Sequence, residues 1–178
     1  MLKKIVFGVL LLIVAVLLYA VTRPDTMHVE RAIVVNAPPD RIAPLITDFH
    51  AWKDWSPWEK LDPDLKRTIT GPPSGVGAVY EWTGNSDVGA GRMEITGATP
   101  DRITIKLDFI EPFEGHNIAT FALTPEGAGT RVTWTMDGSS PYAAKVMGIF
   151  VDMDKMIGAD FETGLANLKT LAESRAGQ

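Results

Sequence analysis

The sequence predicts an α+β fold: a curved antiparallel sheet of about seven strands packed around a long C-terminal helix, preceded by one transmembrane helix. Three observations predict it. Segments with period-two alternation, separated by turn residues, fill most of the chain between residues 65 and 136. An amphipathic stretch, Pro141 to Arg175, follows them. In it Met147, Phe150, Val151, Ile157, Phe161, Leu165, Leu168 and Leu171 recur at the i, i+3, i+4, i+7 spacing of one helical face. Ahead of both lies an uncharged run, Ile5 to Val21. Strands in hairpin succession, flanked by helices, form an antiparallel sheet with its helices on one face.

Residues 5–21 span roughly 25 Å as a helix, close to the thickness of a bilayer core. Tyr19 suits the interface, and Arg23 with Pro24 ends the span. A cleavable signal peptide is the rival reading, since Lys3 and Lys4 also make a basic leader, but no small-x-small site closes the run. The expected organisation is an anchor over residues 1–23 and one domain over 24–178. Lys3, Lys4 and the terminal amine outweigh Arg23, so the N-terminus is expected in the cytoplasm and the domain on the periplasmic or extracytoplasmic side.

After Pro24, Val29, Ile33 and Val35 share one face of a strand over 28–36. Pro38-Pro39-Asp40 opens a short helix whose apolar side is Ile42, Leu45 and Ile46. The stretch FHAWKDWSPWEK (49–60) then holds three of the five tryptophans, with Pro57 preventing one continuous helix. Strands are expected over 65–70, 76–82, 91–99, 103–109, 116–124 and 131–136. The cleanest alternation is Ile103, Ile105, Leu107 and Phe109 against Thr104, Lys106 and Asp108.

The chain has no cysteine, which excludes disulfides, thiolate metal sites and cysteine nucleophiles together. Beyond residue 23 it carries 14 basic against 22 acidic residues, so no footprint for nucleic acid exists. Gly75-x-Gly77 and Gly89-x-Gly91 are turn glycines rather than a nucleotide-binding fingerprint. His28, His50 and His116 have no metal-ligand or triad spacing, and Asp152 and Asp154 point to different helix faces. Neither a metal nor a cofactor is expected.

The segments VERAIVVNAPPDRIAPLITDFHAWKDWSPWEKLDP (29–63), GPPSGVGAVYEW (71–82), IEPFEG (110–115) and VMGIFVDMDKMIGADFETGLANLK (146–169) resemble the START-like superfamily, also called SRPBCC. Within it they resemble the bacterial polyketide cyclase/dehydratase-type branch. The resemblance covers essentially everything after residue 25. It implies a helix-grip fold and a deep, largely apolar cavity between sheet and C-terminal helix, open to lipids or other hydrophobic molecules. It implies no single activity, since fold licenses a site and not a reaction.

Candidate cavity residues are Tyr80, Trp82, Met93, Phe109, Glu111, Phe113, Phe121, Trp134, Met147, Phe150 and Asp154; the plain alternative for each aromatic and methionine is ordinary core. Trp52, Trp55, Trp58 and Glu59 form either a lid or rim or a satellite cluster capping the sheet. Asp154, Glu111 and His116 are the candidates for acid/base work if they meet in one pocket. The alternative for Asp154 is a salt bridge to an arginine. The leading expectation is a membrane-anchored binding protein for a hydrophobic small molecule or lipid. The others are a cyclase/dehydratase-like acid/base enzyme and an envelope protein–protein interaction module.

Overall fold

The computed structural model describes residues 2–176. Met1, whose amine enters the charge comparison above, and Gly177 and Gln178, at the end of the expected domain, lie outside the described residues. The first helix, α1 (Leu2–Val21), is long and apolar enough to cross a membrane, and Ala20 is its one buried residue. Residues 22–25 lead directly into β1 (Thr26–Val35). Next come α2 (Pro39–Thr47), a 3-10 turn (Phe49–Ala51), α3 (Trp52–Trp55) and a second 3-10 turn (Pro57–Lys60). The remaining strands are β2 (Lys66–Thr70), β3 (Val79–Thr83), β4 (Ala90–Thr99), β5 (Arg102–Glu111), β6 (Gly115–Glu126) and β7 (Gly129–Ser139).

All seven strands form one antiparallel sheet in the order β1-β7-β6-β5-β4-β3-β2. From β2 onward each strand pairs with the next in sequence, as hairpins do, and β7 returns to lie beside β1. Two irregularities in the β4–β5 pairing, at Ala90/Gly91 and between Ile95 and Gly97, add local twist and help the sheet curve. The predicted alternation is the observed burial: Val29, Val35, Ile103, Ile105, Leu107, Phe121, Val132, Trp134 and Met136 all face the core. One strand starts later than expected. Val76 is exposed because Gly75 and Gly77, both at positive φ, hold the chain in a turn until Val79.

The expected single helix from Pro141 to Arg175 is two helices, α4 (Tyr142–Met147) and α5 (Met153–Ala176). Gly148 ends α4, its N–H donating to the Ala144 carbonyl at 2.8 Å. Asp152 then restarts the chain by accepting the Lys155 N–H at 3.0 Å, an N-cap that satisfies one of the free amides of a helix start. The apolar stripe divides at this break. Phe161, Leu165 and Leu168 on α5 are buried against the sheet, whereas Met147, Phe150 and Val151 are exposed.

α5 lies along β1 and packs on α2 and α3. Gly158 leaves room for the Arg31 guanidinium to lie against α5, because a Cβ there would displace it. Arg31 thereby reaches two carboxylates spaced one turn either side of Gly158, donating from Nε to Glu162 at 2.8 Å and from Nη2 to Asp154 at 3.0 Å.

In denaturant unfolding of the full chain, Phe161→Ala is expected to cost about 3–5 kcal/mol, as for a buried aromatic. Phe150→Ala should stay within about 0.5 kcal/mol, as for an exposed position. Equal losses at the two positions would contradict the break.

Candidate functional site

The space between sheet and α5, where the family resemblance implies a deep cavity, is occupied by aromatic rings. Trp134 on β7 stacks on Phe161 of α5 with centroids 4.0 Å apart and planes at 6°. On the strand side it lies 4.7 Å from Phe121 at 28°. Trp55, fully buried, stands edge-on to Trp134 at 5.7 Å, and Trp52 meets Trp55 at 4.7 Å. The indole N–H of Trp52 donates to the Ile46 carbonyl and that of Trp55 to the Leu45 carbonyl, both at 2.9 Å. Those bonds turn both rings inward from the loop after α2. They are core, not lid. The third ring, Trp58, is half-buried against Trp134 and Phe161. Trp134 itself is buried with its N–H unpaired among the described residues, a polar group left inside the stack.

Open space lies instead toward the β2–β3 edge, under the tryptophan loop. A cleft of about 190 Å³ is lined by Phe49, His50, Lys53, Glu59, Arg67, Ile69 and Tyr80. Each part has a local cause. Asp48 accepts the His50 N–H at 2.8 Å and winds Phe49 and His50 into a 3-10 turn above the sheet. Pro57 opens the second turn and delivers Glu59. Arg67 and Ile69 are two residues apart on β2 and so share a face, with Ile69 paired to Tyr80 of β3. Phe49 and Tyr80 approach to 5.7 Å.

At the base of the cleft sits a hydrogen-bonded charge cluster. Glu59 accepts from the Tyr80 hydroxyl at 2.5 Å and from Arg67 Nε at 2.5 Å. Its side chain is only 6% exposed, so both bonds compensate a carboxylate removed from water. Burial, then the Glu59 hydrogen bond and charge, push the Tyr80 phenol well above its ordinary value near 10. Arg67 and Lys53 outnumber Glu59, so the lining is positive on balance in a chain whose net charge is −5. Chemically the cleft offers apolar walls, donors on Arg67 and Lys53, and a buried carboxylate acceptor.

Two of the sequence candidates, Tyr80 and Glu59, thus meet, with Trp82 6.0 Å from Tyr80 and Phe109 6.0 Å beyond Trp82. Met93, Phe121 and Trp134 lie in the core. Phe113, Met147 and Phe150 are on the surface, Phe113 at 70% and Phe150 at 72% exposure. Asp154, Glu111 and His116 do not share a pocket. Asp154 pairs with Arg31, whose hydrogen bond holds the carboxyl below the usual range against the opposing effect of burial. His116 pairs with Asp108 at 2.7 Å on the exposed side of the sheet, and Glu111 is exposed at the end of β5. Among the described residues no three His, Asp or Glu side chains gather as metal ligands. Sequence reasoning missed Arg67, Phe49, Ile69 and Lys53. An arginine inside the short strand KRTIT was the one signal available.

Because Tyr80 is held neutral, an absorbance titration of the folded chain should show a tyrosine ionisation well above pH 10. Tyr80→Phe should remove the late step alone. The sign follows: a raised folded value gives stability present below pH 10 and lost as pH climbs toward the folded value. A titration with no late step, or one whose late step survives Tyr80→Phe, would contradict the cluster.

Comparison with known proteins agrees with this architecture. The family model for polyketide cyclase / dehydrase and lipid transport matches residues 26–173. A protein from Chromobacterium violaceum has a similar structure, with TM-score 0.59, 19% identity, and 85% of this chain and 99% of that one covered. The di-domain ARO/CYC StfQ from the steffimycin biosynthetic pathway is similar at TM-score 0.63 and 15% identity, over 86% of this chain and 52% of its own. Major latex-like protein 151 of Panax ginseng follows at TM-score 0.60 and 14% identity, covering 84% and 99%. At these identities the structures speak for the fold. No curated protein matches. With 148 consecutive residues from β1 to the last turn of α5 matched by its model, the chain belongs to the polyketide cyclase / dehydrase and lipid transport family.

Proposed function

We propose that this chain is a membrane-tethered binding protein whose cleft at the β2–β3 edge takes one end of a hydrophobic small molecule or lipid. The observation that carries this reading is the hydrogen-bonded Glu59–Arg67–Tyr80 cluster, its carboxylate nearly fully buried, in a cleft whose apolar walls are Phe49, Ile69 and the Tyr80 ring. A plain packing edge has no need of a desolvated carboxylate held between a guanidinium and a neutral phenol. At about 190 Å³ the cleft is smaller than the roughly 300–1,000 Å³ of a site that encloses a whole drug-sized ligand. It therefore suits one polar end of an elongated amphiphile, with its first carbons against Phe49, Ile69 and Tyr80. The positive balance of the lining favours a head group rich in acceptors or acidic.

The family description, which includes lipid transport, supports the same reading. So does α1, which as an anchor over residues 1–23 keeps a domain over 24–178 near a ligand that partitions into the bilayer. Lys3 and Lys4 against Arg23 orient the anchor with its N-terminus in the cytoplasm and the domain on the extracytoplasmic side.

The test is photo-labelling of the full chain in phospholipid nanodiscs with a long-chain fatty acid carrying a diazirine near its carboxylate. Label is expected within residues 49–53 or 67–80. Ile69→Trp, which fills the cleft, should remove most of that label, while the exposed change Phe150→Ala should leave it unchanged. Label confined to α1, or label at 67–80 that survives Ile69→Trp, would overturn the proposal.

A further inference from the structure

Three residues expected to line a cavity, Phe113, Met147 and Phe150, are exposed instead, and the topology gathers them at one end of the sheet. β1 begins there at Thr26, β7 ends there at Ser139, and β6 starts there after the β5–β6 turn. α4 and the link to α5 follow directly from β7. This is also the end from which α1 leaves. Only residues 22–25 separate α1 from β1, a reach of at most about 14 Å.

α4 packs on α1 itself. The Tyr142 hydroxyl donates to the Leu17 carbonyl at 2.9 Å, four residues before the end of α1. At the helical rise that is about 6 Å back along the span, so α4 lies level with the last turn of α1 rather than above it. The one cation on α4, Lys145, is largely covered and paired with Asp25, so α4 brings no free charge to that level. Around it Ile110, Phe113, Met147, Phe150 and Val151 are all exposed, interspersed with the exposed carboxylates Asp25, Glu111, Glu114 and Asp152.

We propose that this end of the domain is a second membrane contact. In it α4, the 148–152 link and the β5–β6 turn seat in the headgroup layer of the bilayer that α1 spans. The proposal rests on α1 being a membrane span. Exposed apolar side chains at the depth of the last turn of that span meet headgroups and acyl chains, which removes their cost in water. Glu111 and Glu114 flank Phe113 and disfavour anionic lipid, so the contact is apolar in origin and works on zwitterionic membranes. Docked this way, the sheet stands on the bilayer at a fixed tilt instead of swinging on the 22–25 link.

The chain has no native cysteine, which makes single labels clean. Full-length variants Phe150→Cys, Phe113→Cys, Leu11→Cys and Ala128→Cys, each carrying a polarity-sensitive fluorophore, would be reconstituted in phosphatidylcholine vesicles. Ala128 sits in the β6–β7 turn at the opposite end of the sheet. The expected result is quenching by spin-labelled lipid at residues 11, 113 and 150, and iodide quenching several-fold weaker there than at residue 128. Lipid quenching at residue 11 with water-like labels at 113 and 150 would overturn the docking and leave the anchor intact. No lipid quenching at residue 11 would overturn both. Labels at 113 and 150 shielded from iodide but untouched by lipid quencher would assign the face to a protein partner and overturn the proposal.

Discussion

The structure depends most on the ring of Trp134 being clamped between Phe121 and Phe161. That contact joins β6 and β7 to α5, and Trp55 and Trp58 close on it edge-first from the loop after α2. Each such aromatic pair adds roughly 0.5–1.5 kcal/mol beyond the area it buries. The stack holds sheet, helix and loop in one core. It also fills the space that a sheet-and-helix architecture of this kind could leave open. Any binding space must lie beside the stack. The β2–β3 edge meets that requirement, since α5 runs along β1 at the far side of the sheet.

A second constraint fixes α5 in register. Arg31 reaches across Gly158 to Asp154 and Glu162, and Lys169 donates to the Val34 carbonyl near the other end of β1. These contacts are partly open to water, so they guide placement more than they add stability. They also account for Asp154 without chemistry. Its carboxylate sits in the first turn of α5, where the helix dipole favours a negative charge, and is satisfied by a guanidinium.

The sheet was legible because alternation is a local pattern with one physical cause, a strand with one wet and one dry face. Ile103 to Phe109 and Val132 to Met136 show it without ambiguity. Periodicity failed at the helix break, because Met147, Phe150 and Val151 stay in phase with Ile157 and Phe161, and phase does not report burial. Gly148 and Asp152 were the readable stop and start, and both lay inside an otherwise convincing stripe. In sequence the tryptophan loop reads equally as a lid or as a satellite cluster capping the sheet; the carbonyls of Leu45 and Ile46, by taking the indole N–H groups, turn Trp52 and Trp55 into the main core instead. Glu59 and Tyr80 were each noted, but their contact spans 21 residues and Arg67 had no partner visible in sequence.

Whether the cleft holds an amphiphile decides what the chain does. Native mass spectrometry of the full chain extracted from its own membrane, with solvent extraction and identification of what accompanies it, asks this most directly. One amphiphilic molecule per chain, lost in Ile69→Trp, is the predicted result. A chain that arrives empty, or one whose adduct is indifferent to Ile69→Trp, would contradict it.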